Sequence, residues 1–338
     1  MKTWLRITVT LLLSALLLVY VADIHVVMET LSHCDPLWAV VAVFAWFIDR
    51  VVMSYKWGLL LNIRGYSISL AQRLMIYCSA MMWGLALPST VGADGIRVML
   101  ARRFGVRVDD TLATILVERG IGFIAALLTA VVSLVILRAM LPQDAIYDYG
   151  LALGVCGLLA AIAILLFSFT DNALNSVMRL IPRRFADSSA ARLLARLHEA
   201  YAALATDRPR IAAFSALTLL EHVLVIICYG LVAIALNVEF NPMFMLAAVP
   251  LAILVSRLPI SLDGLGVYEG IFVAIMALGG VKPADALAVS LAARAFQIIV
   301  WLPWWLMLAA RTGVRPPMDS DNSTPAPATE PASVRSLP

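Results

Sequence analysis

The sequence has few charged residues: only 14% of its 338 residues are Asp, Glu, Lys or Arg, while 62% are hydrophobic. The mean hydropathy of +0.92 is higher than a soluble globular domain shows. This excludes a soluble enzyme or binding module and predicts a polytopic membrane protein. No segment offers a basic face interleaved with aromatic residues on a soluble module, so we expect no nucleic-acid partner.

Cysteine is also scarce, with four residues in the chain. Cys78, Cys156 and Cys228 lie inside apolar runs, and Cys34 stands alone in a predicted loop. This arrangement has neither a disulfide framework nor a CxxC metal spacing. We therefore interpret the cysteines as small core residues and expect no metal site and no cofactor.

The chain begins with a basic flank and an apolar stretch at 7–22, which is also how a secretory signal begins. No small-x-small cleavage site follows cleanly before Asp23. We therefore expect a retained first helix over residues 3–22.

Apolar stretches recur along the chain at lengths suited to a bilayer, whose core of about 30 Å needs roughly 20 residues per helix. The segment 23–35 has acidic residues but no Lys or Arg, whereas 170–210 has seven arginines. By the positive-inside rule, we expect a multi-pass protein of the bacterial inner membrane with both termini cytoplasmic. Residues 190–205 predict an interfacial helix. The other predicted helices cover 36–62, 74–87, 111–137, 150–169, 211–236, 243–256, 267–278 and 284–310.

Two passages interrupt the apolar pattern with proline, glycine and charge. The first is Leu87-Pro-Ser-Thr-Val-Gly-Ala-Asp-Gly-Ile-Arg97, and the second is Arg257-Leu-Pro-Ile-Ser-Leu-Asp-Gly-Leu-Gly-Val-Tyr-Glu269. Broken backbone inside hydrocarbon persists only where protein or a watery cavity covers it, so we interpret both breaks as working parts. The candidate turn and hinge residues are Pro88, Gly92, Gly95, Pro259, Gly264 and Gly266.

The arginines that follow the first break should stay on the cytoplasmic side. The chain then enters from the inside, turns between Pro88 and Gly95, and returns the same way as a re-entrant hairpin. The second break is approached from outside. Pro259 and Gly266 follow Pro88 and Gly95 at a common spacing of 171 residues, which indicates either an inverted repeat or a chance match of short motifs.

The sequence thus predicts an all-α, polytopic integral membrane helix bundle with two re-entrant or broken helical hairpins. We place its transmembrane domain at residues 1–311. Residues 312–338 are rich in Pro, Ser and Thr without periodicity, and we expect a disordered cytoplasmic tail.

Three motifs in this order carry a family resemblance: residues 85–97, then Glu118-Arg119-Gly120, then residues 258–269. Together they resemble the flippase-like transmembrane domain of lysylphosphatidylglycerol synthases, over about residues 5–311. Two departures are conservative: Ser89-Thr90 stands where a more glycine-rich turn is expected, and Glu118 stands where Asp is commoner. The sequence ends soon after the last predicted helix, so we expect no soluble aminoacyl-transferring domain, and the resemblance then implies lipid translocation without lipid synthesis.

The charged residues of these motifs are the candidate substrate-binding set, because an ionisable group at membrane depth must be paired, snorkelling or functional. Arginine suits a lipid phosphate, since its planar fork holds phosphate oxygens bidentately. The alternative is that the same arginines form structural ion pairs with the acids, and both roles are compatible. The candidates are Asp94, Arg97, Glu118, Arg119, Arg257, Asp263, Glu269 and Arg294.

Other charges within predicted helices have more ordinary interpretations. Asp49 and Arg50 are adjacent and should point to different helix faces, so we expect each to pair elsewhere or to mark a bend. Lys56 should snorkel to the inner interface. Glu221-His222 is either a buried structural pair or part of a proton route.

The sequence therefore favours a lipid flippase or transporter without enzymatic activity, moving an anionic or phosphate-bearing lipid. One alternative is a membrane enzyme acting on lipid-linked substrates, but 170–210 lacks the acidic or histidine cluster that such chemistry needs. A scaffold subunit of a lipid-modifying complex is another. The expected partners are membrane lipids, with a homo-oligomer or a lipid-synthesising enzyme left open.

Overall fold

The structure is a computed structural model that describes residues 8, 24–85, 90–141, 145–170, 172, 189–258 and 264–312. Its regular elements there are all α-helices, which confirms the predicted all-α class. The predicted first helix at 3–22 lies almost wholly outside the described residues, and so does the tail beyond 312. The helices are α1 (Ile24–Ser32), α2 (Pro36–Ile63), α3 (Leu70–Leu85), α4 (Thr90–Arg103), α5 (Val108–Met140), α6 (Ala145–Ser168), α7 (Ser189–Leu204), α8 (Arg208–Ala235), α9 (Pro242–Ser256), α10 (Val267–Leu278) and α11 (Pro283–Thr312).

Five of these helices are long and apolar enough to cross a membrane, namely α2, α5, α6, α8 and α11. Large apolar side chains face outward on them, as on α6, where Leu153 and Leu159 are 76% and 62% exposed. Contiguous exposed apolar surface of this kind is what lipid would cover. The described part of the chain is therefore a multi-pass membrane bundle.

The segment 24–32 departs from the sequence-based prediction, which treated residues 23–35 as an outer loop. It forms the short helix α1, which packs against α11. Val27 is only 1% exposed, and the Thr30 hydroxyl donates a hydrogen bond of 2.8 Å to Asp285 Oδ1 on α11. These partners are distant in sequence, so local pattern alone did not indicate the helix.

Helices α2 and α8 are built alike. Both have 28 residues and begin at an aspartate N-cap, Asp35 or Asp207, that accepts hydrogen bonds from backbone N–H groups of the first turn. Both end at a residue in the left-handed region, Gly65 at φ +81° and Asn237 at φ +54°. The two helices pack against each other at the centre of the molecule.

Each predicted break separates two short helices that pack together as a helical hairpin, α3 with α4 and α9 with α10. Their lengths of 16, 14, 15 and 12 residues fall short of the roughly 20 that a bilayer crossing needs. In the first hairpin Ala93 lies so close to Gly84 that a Cβ on Gly84 would be 2.8 Å from that of Ala93. Pro88 and Pro259 lie outside the described residues.

The two halves of the bundle share one pattern of neighbours. Pairing α2 with α8, α3 with α9, α4 with α10 and α5 with α11 maps the helix contacts of one half onto those of the other. For example, α3 packs on α11 just as α9 packs on α5, so each hairpin rests on the long helix of the opposite half. The largest buried cluster lies among α2, α8, α9, α10 and α11, where Trp46 and Tyr229 meet edge to face at 5.9 Å between ring centroids.

Candidate functional site

An ion pair buried in the protein ties the first hairpin to the following long helix. Arg97 on α4 donates from Nη1 and Nη2 to Glu118 Oε1 and Oε2 on α5, at 3.2 and 2.5 Å. The Tyr77 hydroxyl donates to Glu118 Oε1 at 3.0 Å. The guanidinium also stacks on Trp57 and Tyr77, at 4.5 and 4.9 Å from their ring centroids. Arg97 is 2% exposed, so its guanidinium is enclosed by these partners and is not accessible from the surface.

A second ion pair joins the same two helices closer to the surface. Arg119 donates from Nε to Asp94 Oδ2 at 2.7 Å, and its Nη2 contacts the same oxygen. The side chain of Arg119 is 50% exposed. Asp94 and Arg97 are three residues apart and share one face of α4, which explains how the adjacent Glu118 and Arg119 both reach that helix.

The second hairpin holds its glutamate in the turn that starts α10. Glu269 Oε2 accepts a hydrogen bond of 2.6 Å from the Gly266 N–H, and Oε1 lies 3.5 Å from Arg294 Nη2 on α11. Gly264 and Gly266 have φ of +72° and +78°, values that glycine adopts without strain. A Cβ on Gly264 would lie 2.6 Å from that of Ser256, so the turn also needs a small residue there.

The pairs of Arg97 with Glu118 and of Glu269 with Arg294 correspond between the halves with their charges exchanged, although the Arg294 side chain is 27% exposed. Arg97 on α4 faces Glu118 on α5, whereas Glu269 on α10 faces Arg294 on α11. In each half the ion pair therefore fastens the second helix of the hairpin to the long helix that follows it.

Arg257 differs from the other described arginines of the predicted set. It caps the C-terminal end of α9 with an exposed side chain, and it forms an ion pair with no carboxylate of the described residues. Its Nη1 lies 3.7 Å from the Cβ position of Gly122 on α5, which places the guanidinium against that helix. Gly122 is one helical turn beyond Arg119, and the charges nearest to Arg257 include Glu221 and Arg119.

Asp49 and Arg50 pair with each other, contrary to the expectation that each would find a partner elsewhere. Arg50 Nε donates to Asp49 Oδ2 at 2.9 Å, and both residues are buried on α2. The long arginine side chain curls back to the neighbouring carboxylate because α8 and the rest of the bundle enclose both groups.

Lys56 does not snorkel as predicted. It is 3% exposed, its Nζ contacts Glu221 Oε2 on α8, and it lies 3.3 Å from Thr218 Oγ1. His222 Nδ1 lies 2.9 Å from the Thr218 carbonyl oxygen. Lys56, Glu221 and Thr218 thus form a buried polar contact between the two central helices.

Several predicted site residues either fall outside the described residues or lie elsewhere than predicted. Asp263 falls outside the described residues, as Pro88 and Pro259 do. Gly92 and Gly95 lie within α4, which begins at Thr90, so the predicted turn extended too far. Arg97 is consequently in the second turn of α4, away from the free N–H groups at its start.

Sequence reasoning missed the aromatic cage around Arg97. Trp57 on α2 and Tyr77 on α3 both have ordinary apolar neighbours in sequence, so nothing local indicates that they face a guanidinium. Within the part of the chain that the structure describes, no group of three or more His, Cys, Asp or Glu side chains is arranged to hold a metal ion.

Fold and site together define a polytopic helical membrane protein whose two broken hairpins carry charged residues into the bundle. Residues 4–304 match the family described as the lysylphosphatidylglycerol synthase TM region, and the chain belongs to that family. No curated protein matches the chain.

Proposed function

We propose that the protein is a lipid transporter that moves an anionic or phosphate-bearing lipid across the bacterial inner membrane. The observation that carries the proposal is Arg257, a cation at the broken end of α9 that has no ion-pair partner among the described residues. A charge kept at such a break is expensive unless it serves a substrate or a pathway. Membership of a lipid-associated membrane family supports the same reading.

The headgroup is held by Arg257 together with Arg119. Arg119 keeps half of its side chain exposed in its pair with Asp94, so its guanidinium is accessible to a phosphate that displaces or joins the carboxylate. Arginine forks on neighbouring helices then bind the phosphate oxygens while the acyl chains stay in lipid. The pairs Arg97–Glu118 and Glu269–Arg294 hold the hairpins in place, and Asp263 is proposed to face the same path.

An inverted repeat supplies the two arrangements that transport requires. The shared neighbour pattern and the matched helices α2 and α8 support a repeat. The loop after α2 contains the basic Arg64, whereas the loop after α8 contains the acidic Glu239, and this difference in charge supports an inversion of the repeat. In this proposal the hairpins are re-entrant, one opening to the cytoplasm and the other to the outside, with both termini cytoplasmic. The glycines at Gly264 and Gly266 allow the second hairpin to hinge.

The test is translocation of labelled phosphatidylglycerol in vesicles reconstituted with the purified full chain. We expect the wild-type protein to accelerate translocation and Arg257→Gln to reduce the rate about tenfold or more, since charge-assisted hydrogen bonds contribute about 1.5–3 kcal/mol. Arg208→Gln, an exposed arginine at the start of α8, is the matched control and should retain the wild-type rate. A wild-type protein that moves neither phosphatidylglycerol nor a polyprenyl-phosphate lipid overturns the proposal.

A further inference from the structure

A cavity of about 510 Å³ lies away from the charged hairpin pairs, where α4 ends and α5 begins. Arg102 and Gly105 line it from the end of α4, Arg107 and Asp109 from the start of α5, and Arg196 from α7. Its basic residues thus come from three elements, one of them nearly 90 residues further along the chain. The proposed transport path does not use any of them.

The acids at this end of α5 are already neutralised. Arg107 donates from Nε and Nη2 to the two carboxylate oxygens of Asp109, at 3.1 and 2.5 Å. Asp110 is buried and accepts hydrogen bonds of 2.6 Å from both Arg64 Nε and the Tyr66 hydroxyl. Neither carboxylate is therefore available to compensate the remaining arginines of the cavity.

Arg102 and Arg196 carry the excess charge. Both are exposed, and neither forms an ion pair with a carboxylate of the described residues. Two guanidinium groups that line one cavity from α4 and α7 give it a positive potential that favours a bound anion. A phosphate fits this need, because each arginine can present two N–H groups to its oxygens.

The helix that carries Arg196 is held firmly in position. Helix α7 packs on α5 through Ala200, Tyr201 and Leu204, and the Tyr201 ring stacks on Phe169 with centroids 4.5 Å apart. The Tyr201 hydroxyl also lies 2.7 Å from Ser168 Oγ. Arg196 therefore stands on a fixed support beside the cavity.

The cavity lies at headgroup level. Helix α5 has 33 residues, which at 1.5 Å per residue is about 50 Å, longer than the roughly 30 Å hydrocarbon core. The charged residues Asp109 and Asp110 of its first turn, the end that borders the cavity, favour the interfacial layer over hydrocarbon. Basic pockets of this kind beside membrane helices suit the headgroups of anionic lipids.

We propose that this cavity binds a phosphate-bearing anion, with Arg102 and Arg196 as its ligands, and that the phosphodiester of an anionic phospholipid in the adjacent leaflet is the natural source. Bound there, the phosphate connects α4 of the first hairpin to the interfacial helix α7. The site is separate from the path of transport, so the inference stands whether or not the protein moves lipid.

The experiment measures binding of phosphatidylglycerol, phosphatidylcholine and soluble glycerol 3-phosphate to the purified full chain in detergent. All binding is measured in an Arg257→Gln background, which removes the proposed transport site. In it we expect Arg102→Gln/Arg196→Gln to weaken phosphatidylglycerol binding about tenfold or more. The control is Arg103→Gln/Arg208→Gln, which removes the same charge from exposed arginines that do not line the cavity. It should bind as the Arg257→Gln parent does, and size-exclusion profiles check that both variants fold.

The three ligands in this experiment distinguish a phospholipid headgroup from a soluble phosphate as the source of the bound anion. Glycerol 3-phosphate binding that depends on Arg102 and Arg196 without phosphatidylglycerol binding supports the phosphate site but overturns the lipid source. Equal losses in the two double variants, or equal binding of phosphatidylcholine, overturn the site itself. Because the measured quantity is binding, its failure is distinct from a failure of the vesicle transport assay.

Discussion

The described arginines of the candidate site differ mainly in whether they form an ion pair with a described carboxylate. Arg97 is enclosed by Glu118, Trp57 and Tyr77, whereas Arg257 extends from the end of α9 beside Gly122. A buried ion pair contributes little net stability by itself, but removing one partner strands the other charge in a medium of low dielectric constant. Paired and unpaired arginines should therefore respond differently to the same substitution.

We predict that Arg97→Gln destabilises the protein by about 3–5 kcal/mol, because it leaves the Glu118 carboxylate buried without a counter-charge. Thermal or denaturant unfolding in detergent measures the change. Arg138→Gln removes an exposed arginine that pairs with Asp148, with side chains 48% and 57% exposed, and should change stability by less than about 1 kcal/mol. Equal effects of the two substitutions would contradict the structural role assigned to Arg97.

At the scale of elements, the hairpins depend on turns that only small residues permit. In the turn before α10, two features require glycine at position 264: its φ is positive, and its backbone lies close to Ser256. The turn after α10 has only the first of these features, since Gly280 has φ +87° and a Cβ there would meet open space. The two glycines therefore separate backbone strain from crowding.

We predict that Gly264→Ala lowers stability more than Gly280→Ala does. Both alanines cost about 1–2 kcal/mol for the left-handed conformation, and Gly264→Ala adds a clash with Ser256 that moves α10 relative to α9. Unfolding midpoints of the two variants provide the comparison. If Gly280→Ala were as damaging as Gly264→Ala, the close approach to Ser256 would have no importance.

At the scale of the whole molecule, the bundle consists of two halves with matching helix contacts, and these halves pack together at α2 and α8. These central helices are joined by the Lys56–Glu221 contact, and each also carries an acid followed by a basic residue, Asp49-Arg50 and Glu221-His222, 172 positions apart. Each hairpin packs on the long helix of the opposite half, so neither half encloses its own hairpin.

The inverted repeat that we propose predicts that equivalent loop positions lie on opposite sides of the membrane. Ser67 and Glu239 follow the ends of α2 and α8, are 172 positions apart and are both exposed. In a background without the four native cysteines, Glu239→Cys should react with an impermeant maleimide in intact cells, and Ser67→Cys should react only after permeabilisation. Labelling of both from the same side would indicate a direct repeat or none.

Much of the fold follows from local pattern. The predicted helix 267–278 coincides with α10, and the prediction for residues 243–256 differs from α9 by one residue, because proline and glycine mark their ends. The interfacial helix predicted at 190–205 is α7 within one residue at each end. The turn before α4 was less predictable. Glycine is unfavourable inside a helix, yet Gly92 and Gly95 both lie within α4.

The sequence by itself determined the membrane class, most of the long helices and the two breaks, because hydrophobic length, proline and glycine act over a few neighbouring residues. Only the tertiary structure decided which charges meet. Glu118 and Arg119 are adjacent, yet they pair with different residues of α4, and Lys56 turns inward to Glu221 instead of toward the interface. Helical spacing fixes the face on which a side chain lies, whereas its partner depends on which helix is packed against that face.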